Sequence, residues 1–262
     1  MINKTLENTK QATFSVLTPH PDPAYKNFPF PNGTGFFFDP RGYFITARHV
    51  IQKIDINGNA ILDTTKGIPE LLDISKLILS KPGPSFTQIK ELILVSDFPQ
   101  FDLVILKADF EKHKTQESLK GKIEFNNIYV DFSIPLEGEP VYAFGYPLAE
   151  HTVKLHPTQQ GMMIGTHTYF PRTTSLIISS HHDKIGPIIK NTGFPEYYVI
   201  DKALNYGNSG GPIVIEETGR VISVCTRFQP VMIKQQQGNV AIPSLYGITV
   251  SLKNIEKEIL AL

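Results

Sequence analysis

An all-β fold closed by one C-terminal helix is what this 262-residue sequence predicts, on three observations. Short apolar and β-branched runs recur between Gly, Pro and Asn punctuation, at strand length rather than helix length. Helical periodicity is convincing only over 251–262. A single cysteine, Cys225, excludes an intrachain disulfide, so the core alone must hold the fold.

In chain order, residues 1–30 read as an N-terminal segment in which His20-Pro21-Asp22-Pro23 makes a rigid loop. The strands then follow as GTGFFF (33–38), YFIT (43–46), ELILVS (91–96), DLVILKA (102–108), PVYAFGYP (140–147), SLIISS (175–180), YYVI (197–200), GPIVI (211–215) and GRVISVC (219–225). Phe36, Phe37 and Phe38 are expected in the core, as apolar strand runs usually are. The charged stretch EKHKTQESLKGK (111–122) reads as a connector between two halves. At the end of the chain Leu252, Ile255, Ile259 and Leu262 share one helical face behind a Ser251 cap.

Composition narrows the function. Twenty-five basic residues balance twenty-five acidic ones, and without a dense Lys/Arg block neither nucleic acid nor a membrane surface is an expected partner. No run reaches the ~18 apolar residues of a spanning helix. The N-terminal apolar stretch is interrupted too early for a signal peptide core, so the expected location is the cytoplasm. His151, His156, His167, His181 and His182 cluster in the second half but lack zinc-ligand spacing, so neither a metal nor another cofactor is expected.

The segment Tyr206-Gly207-Asn208-Ser209-Gly210-Gly211-Pro212 surrounds a serine with glycines directly before an apolar strand. Glycine permits positive φ and close approach, so the N–H groups of Gly207 and Ser209 can point together at a developing oxyanion. Losing one such donor costs roughly 3 kcal/mol of transition-state stabilisation. Taken alone, the segment admits an ordinary Gly-rich hairpin turn as the lesser of the two readings. It also fits the G-x-S-x-G elbow of α/β-hydrolases, but that fold places its histidine after the serine, whereas all eight histidines here precede Ser209.

Tyr43 to Val50 reads as a buried strand ending at His49, whose imidazole can accept a serine proton and return it to a leaving amine. Asp102 stands at the mouth of the apolar strand Leu103 to Leu106. A buried carboxylate is tolerable there if it accepts the imidazole Nδ1–H. Individually, His49 could be a structural histidine and Asp102 a turn residue. Together, TARHV, FDLVIL and GNSGGP occur in the order His, Asp, Ser.

These three segments resemble the T-A-A-H, D-[LIV]-A-[LV]-[LIV] and G-[DN]-S-G-G-P signatures of chymotrypsin-like serine peptidases. The GNSGGP form, the lack of disulfides and the ending Tyr246 to Ser251 look most like bacterial trypsin-like domains related to HtrA/Deg peptidases, here with no PDZ-sized segment following. The resemblance, from about Gly33 onward, implies two six-stranded antiparallel β-barrels: 31–125 with His49 and Asp102, and 126–250 with Ser209, the site lying in the cleft between them and 251–262 following as helix. It implies a serine endopeptidase acting on protein or peptide substrates through an acyl-enzyme. It also implies a specificity pocket with Ala203 near its base and Tyr206, Ser223 and Thr226 around it, which suits a small or medium apolar side chain. Ser223 would match the family serine that bonds the triad aspartate.

Asn208 departs from the aspartate of digestive members, so no freed N-terminal amine can pair with it; whether an activating protein partner orders the loop is left open. Arg48 replaces the commoner small residue beside the histidine. A peptide-holding module with a latent site and an ester- or acyl-transfer enzyme remain as alternatives. A subtilisin-like order with Asp39 as the acid is disfavoured, because the alternation of strands and helices that α/β folds need is missing.

Overall fold

Apolar alternation and glycine-punctuated turns give fifteen strands in the computed structural model, which describes residues 2–25, 27–82, 87–108, 126–147, 150–155, 163–183, 196–235 and 238–262. The first half contains β1 (Thr13–Thr18), β2 (Phe30–Phe37), β3 (Tyr43–Ala47), β4 (Ile78–Lys81), β5 (Thr87–Ile89), β6 (Leu92–Phe98) and β7 (Leu103–Ala108). They form one antiparallel sheet in the order β5-β4-β1-β2-β3-β7-β6. In the second half, β8 (Pro140–Gly145), β11 (Arg172–His182), β12 (Tyr197–Ile200), β13 (Pro212–Ile215), β14 (Val221–Gln235) and β15 (Gly238–Ser251) close a six-stranded barrel, while β9 (Glu150–Leu155) and β10 (Met163–Thr168) pair separately. Among the described residues no helix is long and apolar enough to cross a membrane.

The expected double-barrel architecture is therefore present, its first barrel drawn as a half-barrel sheet of seven strands. Each of the nine runs read as strands falls on a strand, with end residues such as Phe38, Asp102, Tyr146 and Gly219 lying just outside. Residues 1–30, read only as an N-terminal segment, are built into the fold. They supply a helix, α1 (Ile2–Ala12), and β1, which is wholly buried between β4 and β2. The buried face of α1 carries Thr9 and Ala12 beside the half-buried Leu6, too few large apolar groups for a helical pattern. Thr9 Oγ1 shares a 2.9 Å hydrogen bond with Tyr142 OH on β8, so α1 docks on the second half while β1 is stitched into the first. Most of the stability of such a helix comes from tertiary packing, which local periodicity does not report. The proposed connector 111–122 lies outside the described residues.

Two of the three core clusters belong to one half each; the third lies between the halves. There Phe36, Ile45, Leu103 and Ile105 of the sheet meet Tyr142, Val214, Val224, Ile248 and Val250 of the barrel. At the C-terminus the Ser251 hydroxyl accepts the N–H of Lys253, as its cap role requires, and a 3-10 turn runs into α2 (Glu256–Leu260). Leu252, Ile255 and Ile259 bury into the same shared cluster, each contributing about 1.5–3 kcal/mol of transfer free energy. The two halves thus meet over a continuous apolar floor, and the loops that leave β3, precede β7 and precede β13 converge above it.

Candidate active site

β3 ends at Ala47, and the next four residues, Arg48–Ile51, tighten into a 3-10 turn that carries His49. The turn is anchored from below by Arg48, whose side chain is only 3% exposed. Its Nε donates to Asp97 Oδ1 at 2.7 Å and its Nη2 to Asp97 Oδ2 at 3.2 Å and to the Pro69 carbonyl at 2.9 Å.

Asp102 follows the short turn Pro99–Phe101 and adopts the left-handed conformation, φ 54° and ψ 37°. Asp tolerates that region better than most residues because its short polar side chain can bond locally. Here Asp102 Oδ1 accepts the backbone N–H of His49 at 2.9 Å, and Oδ2 lies 2.7 Å from His49 Nδ1. The Asp102 carbonyl accepts the N–H of Arg48 at 2.8 Å. The carboxylate is 5% exposed, and each oxygen meets a donor, which offsets its desolvation. A carboxylate at Nδ1 selects the tautomer protonated there, so Nε2 is left as the acceptor on a ring 36% exposed.

Ser209 sits in a loop folded by backbone bonds. Asn208 N–H reaches Asn205 O, Gly211 N–H reaches Asn208 O, and Gly210 N–H reaches Cys225 O. Gly207 and Gly210 hold φ of 92° and 84°, where any other residue would be strained. A Cβ on Gly210 would also stand 2.0 Å from the Thr34 carbonyl and 2.9 Å from the Ala47 nitrogen. The loop is therefore pressed against the strand end that carries His49, two residues away. Among the described residues, the N–H groups of Gly207 and Ser209 have no hydrogen-bond acceptor, while those of Asn208, Gly210 and Gly211 are taken. Ser209 Oγ donates to the Thr226 carbonyl at 3.5 Å, and among the described residues no hydrogen bond joins it to His49 Nε2.

The other expected residues divide. Thr226 lies beside Ser209, at a register shift between Cys225 and Arg227 of β14. Ser223 does not bond Asp102: its hydroxyl donates to Thr249 Oγ1 at 2.9 Å inside the barrel, which corrects that reading. Thr226 does not take that role either: among the described residues its hydroxyl donates to the Ile248 carbonyl at 3.2 Å. Ala203 is half-buried, and Tyr206 is 80% exposed at the rim of the loop. Asp201 and Lys202, the charged neighbours of Ala203, spend their side chains on β11: Asp201 Oδ1 accepts the Ile177 N–H and Lys202 Nζ donates to the Ser175 carbonyl. Of the second-half histidines, His181 contacts Glu196 at 3.4 Å and His182 stacks on Tyr197, and among the described residues no three metal-ligating side chains converge.

Sequence reasoning passed over Thr34, which is fully buried between the halves and bonds both the Gly207 and the Ser209 carbonyls. Its signal was the glycine on either side. A Cβ on Gly33 would meet Val50 at 2.5 Å and the Ser209 carbonyl at 2.9 Å, so the strand must be bare where the loop lands on it.

A family profile for the trypsin-like peptidase domain matches residues 33–224. No curated protein matches the sequence. Among solved structures, an HtrA-type protease AlgW with tripeptide aligns with the whole chain at 17% identity and a TM-score of 0.57, covering 63% of that protein. The serine endoprotease from Yersinia pestis aligns at 18% identity and a TM-score of 0.54, with 66% of its chain covered. AlgW with decapeptide gives 16% and 0.58, with 67% covered. At these identities the likeness is one of fold, and the chain spans about two thirds of the length of these structures.

Proposed function

Because the chain belongs to the family of trypsin-like peptidase domains, we propose that it is a serine endopeptidase with Ser209 as nucleophile, His49 as base and Asp102 as orienting acid. The observation that carries this reading is the doubly bonded Asp102–His49 pair beside a loop whose Gly207 and Ser209 N–H groups have no acceptor among the described residues. Ser209 Oγ attacks the scissile carbonyl while His49 Nε2 takes its proton. Asp102 holds the imidazolium by Nδ1–H. The oxyanion is met by Gly207 and Ser209 N–H. Collapse expels the amine, protonated by His49, and water attacks the acyl-enzyme with His49 again as base. Among the described residues Ser209 Oγ makes no hydrogen bond to His49, and nucleophile–base bonds of this kind are often long until substrate tightens them.

The pocket reading points to a small or medium apolar side chain on the acyl side of the cleaved bond. Ala203 brings no charge to the base, and the charges of Asp201 and Lys202 are engaged on β11. A second reading, a latent peptide-holding module, draws on one observation: Ser209 Oγ is turned to Thr226 O.

Labelling with a fluorophosphonate probe, read by intact mass on wild type, Ser209→Ala and His49→Ala, separates the two. Modification of wild type alone supports the peptidase; a folded wild type that stays unlabelled refutes it in favour of the module. A peptide library then checks the pocket, with cleavage after Ala or Val expected and cleavage after Arg or Lys excluding an uncharged base.

A further inference from the structure

Thr34 makes four hydrogen bonds from the interface between the halves. Its N–H donates to Ser209 O at 2.8 Å, and its hydroxyl donates to Gly207 O at 2.5 Å. The same hydroxyl accepts the N–H of Tyr146 at 3.1 Å, and the Thr34 carbonyl accepts the Thr46 hydroxyl at 2.6 Å. No other residue outside the loop, among the described residues, bonds the carbonyls of both Gly207 and Ser209.

The bonded carbonyls matter because each peptide unit is a rigid plane. The Gly207 carbonyl belongs to the 207–208 plane and the Ser209 carbonyl to the 209–210 plane. Between them lies the 208–209 plane, whose N–H is that of Ser209. Fixing both neighbours leaves this plane little freedom to turn. The 207–208 plane is also one side of Gly207, whose φ of 92° sets where the Gly207 N–H points. That glycine lies close against the Tyr146 carbonyl, where an added Cβ would stand at 2.5 Å, and the Tyr146 N–H bonds the Thr34 hydroxyl.

We propose that Thr34 is a positioning residue for the oxyanion site: its hydroxyl, held by β2 and by Tyr146, orients the nucleophile loop so that the N–H groups of Gly207 and Ser209 stay aimed outward before substrate arrives. The inference rests on the peptidase reading for its catalytic consequence, and on geometry alone for the hold on the loop. Preorganisation is where a donor pair gains its effect, because no reorganisation is needed when charge develops. Thr34 itself touches neither substrate nor the reacting atoms.

The test compares Thr34→Val, which keeps shape and loses the hydroxyl, Thr34→Ala, which loses it without apolar bulk at the site, and Thr34→Ser, which restores it. In the two hydroxyl-less variants, fluorophosphonate labelling and kcat on a peptide substrate are expected to fall together by about 10- to 100-fold, below the loss of a whole oxyanion donor. KM and the pH profile of kcat/KM stay near wild type, because the His49–Asp102 pair is untouched, and Thr34→Ser keeps most of the rate. Amide hydrogen exchange over 205–211 should quicken in Thr34→Val and Thr34→Ala while β3 and β7 stay protected. Unchanged exchange in this loop overturns the proposal, as does a Thr34→Ser variant as slow as Thr34→Val. Quickened exchange in a protein whose wild type never labels would remove the peptidase reading and leave the hold on the loop standing.

Discussion

The two sides of the candidate site are held by different means. The acid–base corner is a side-chain structure: Asp102 grips His49 at 2.7 and 2.9 Å, and Arg48 ties the turn to Asp97 and Pro69. The nucleophile loop is a backbone structure, shaped by Gly207 and Gly210 at positive φ and by main-chain bonds to Asn205, Cys225 and Thr34. One side therefore tolerates backbone drift and fails when a functional group is removed. The other tolerates side-chain change poorly because its glycines have no room for a Cβ. That difference also explains why the acid–base pair is already bonded while Ser209 Oγ still rests against Thr226 O.

The largest expected effects separate these roles. Ser209→Ala and His49→Ala should each lower kcat by about 10⁴- to 10⁶-fold, since members of such a unit are not additive. Asp102→Asn should cost about 10⁴-fold by presenting the wrong tautomer to Nε2, with the fold intact by circular dichroism. If Asp102→Asn kept wild-type turnover on a peptide substrate, the acid–base corner would be structural and the comparison would collapse.

Gly210→Ala tests the other side through stability. The new methyl would meet the Thr34 carbonyl at 2.0 Å with φ at 84°, combining backbone strain with overpacking. We expect a loss of about 3–5 kcal/mol in urea unfolding, the sum of those two terms. A loss below about 1 kcal/mol would mean that the loop shifts freely, against its rigid backbone character. Asp97→Ala should come next, at about 3 kcal/mol, because it strands the buried Arg48 guanidinium. Among the described residues Arg48 Nη1 already lacks a partner, and only Pro69 O would remain.

Legibility followed the same divide. His49, Asp102 and Ser209 could be read because functional groups carry their chemistry in their names, and the strands around them because apolar runs report burial directly. Gly207 and Gly210 were readable as backbone licences, although not what they press against. Thr34 was hidden, since a threonine in a strand is ordinary and its four bonds span sequence distances that no local pattern samples. Ser223 was misread because strand alternation fixes which face a residue takes only once register is known, and its hydroxyl turns into the barrel to Thr249. β1 escaped because its Thr13, Ser15 and Thr18 are buried polar residues that mimic a surface stretch.

The smallest effect uses the lone cysteine as a reporter of the backbone side. Cys225 exchanges two main-chain hydrogen bonds with the loop, accepting from Gly210 and donating to Gly211, so its burial depends on the loop's seat. Burial pushes the thiol up to about 12, which leaves one thiolate in ~10⁴ at pH 8 even before access is considered. Iodoacetamide should therefore leave the native protein unmodified for hours at pH 8 and alkylate it fully in urea, as counted by intact mass. In Gly210→Ala the native rate should rise, while in Asp97→Ala it should rise only as far as global unfolding accounts for. Equal acceleration in both variants, matched to their stabilities, would mean that the two sides open together as one cooperative unit rather than as a rigid side-chain corner beside a separately held loop.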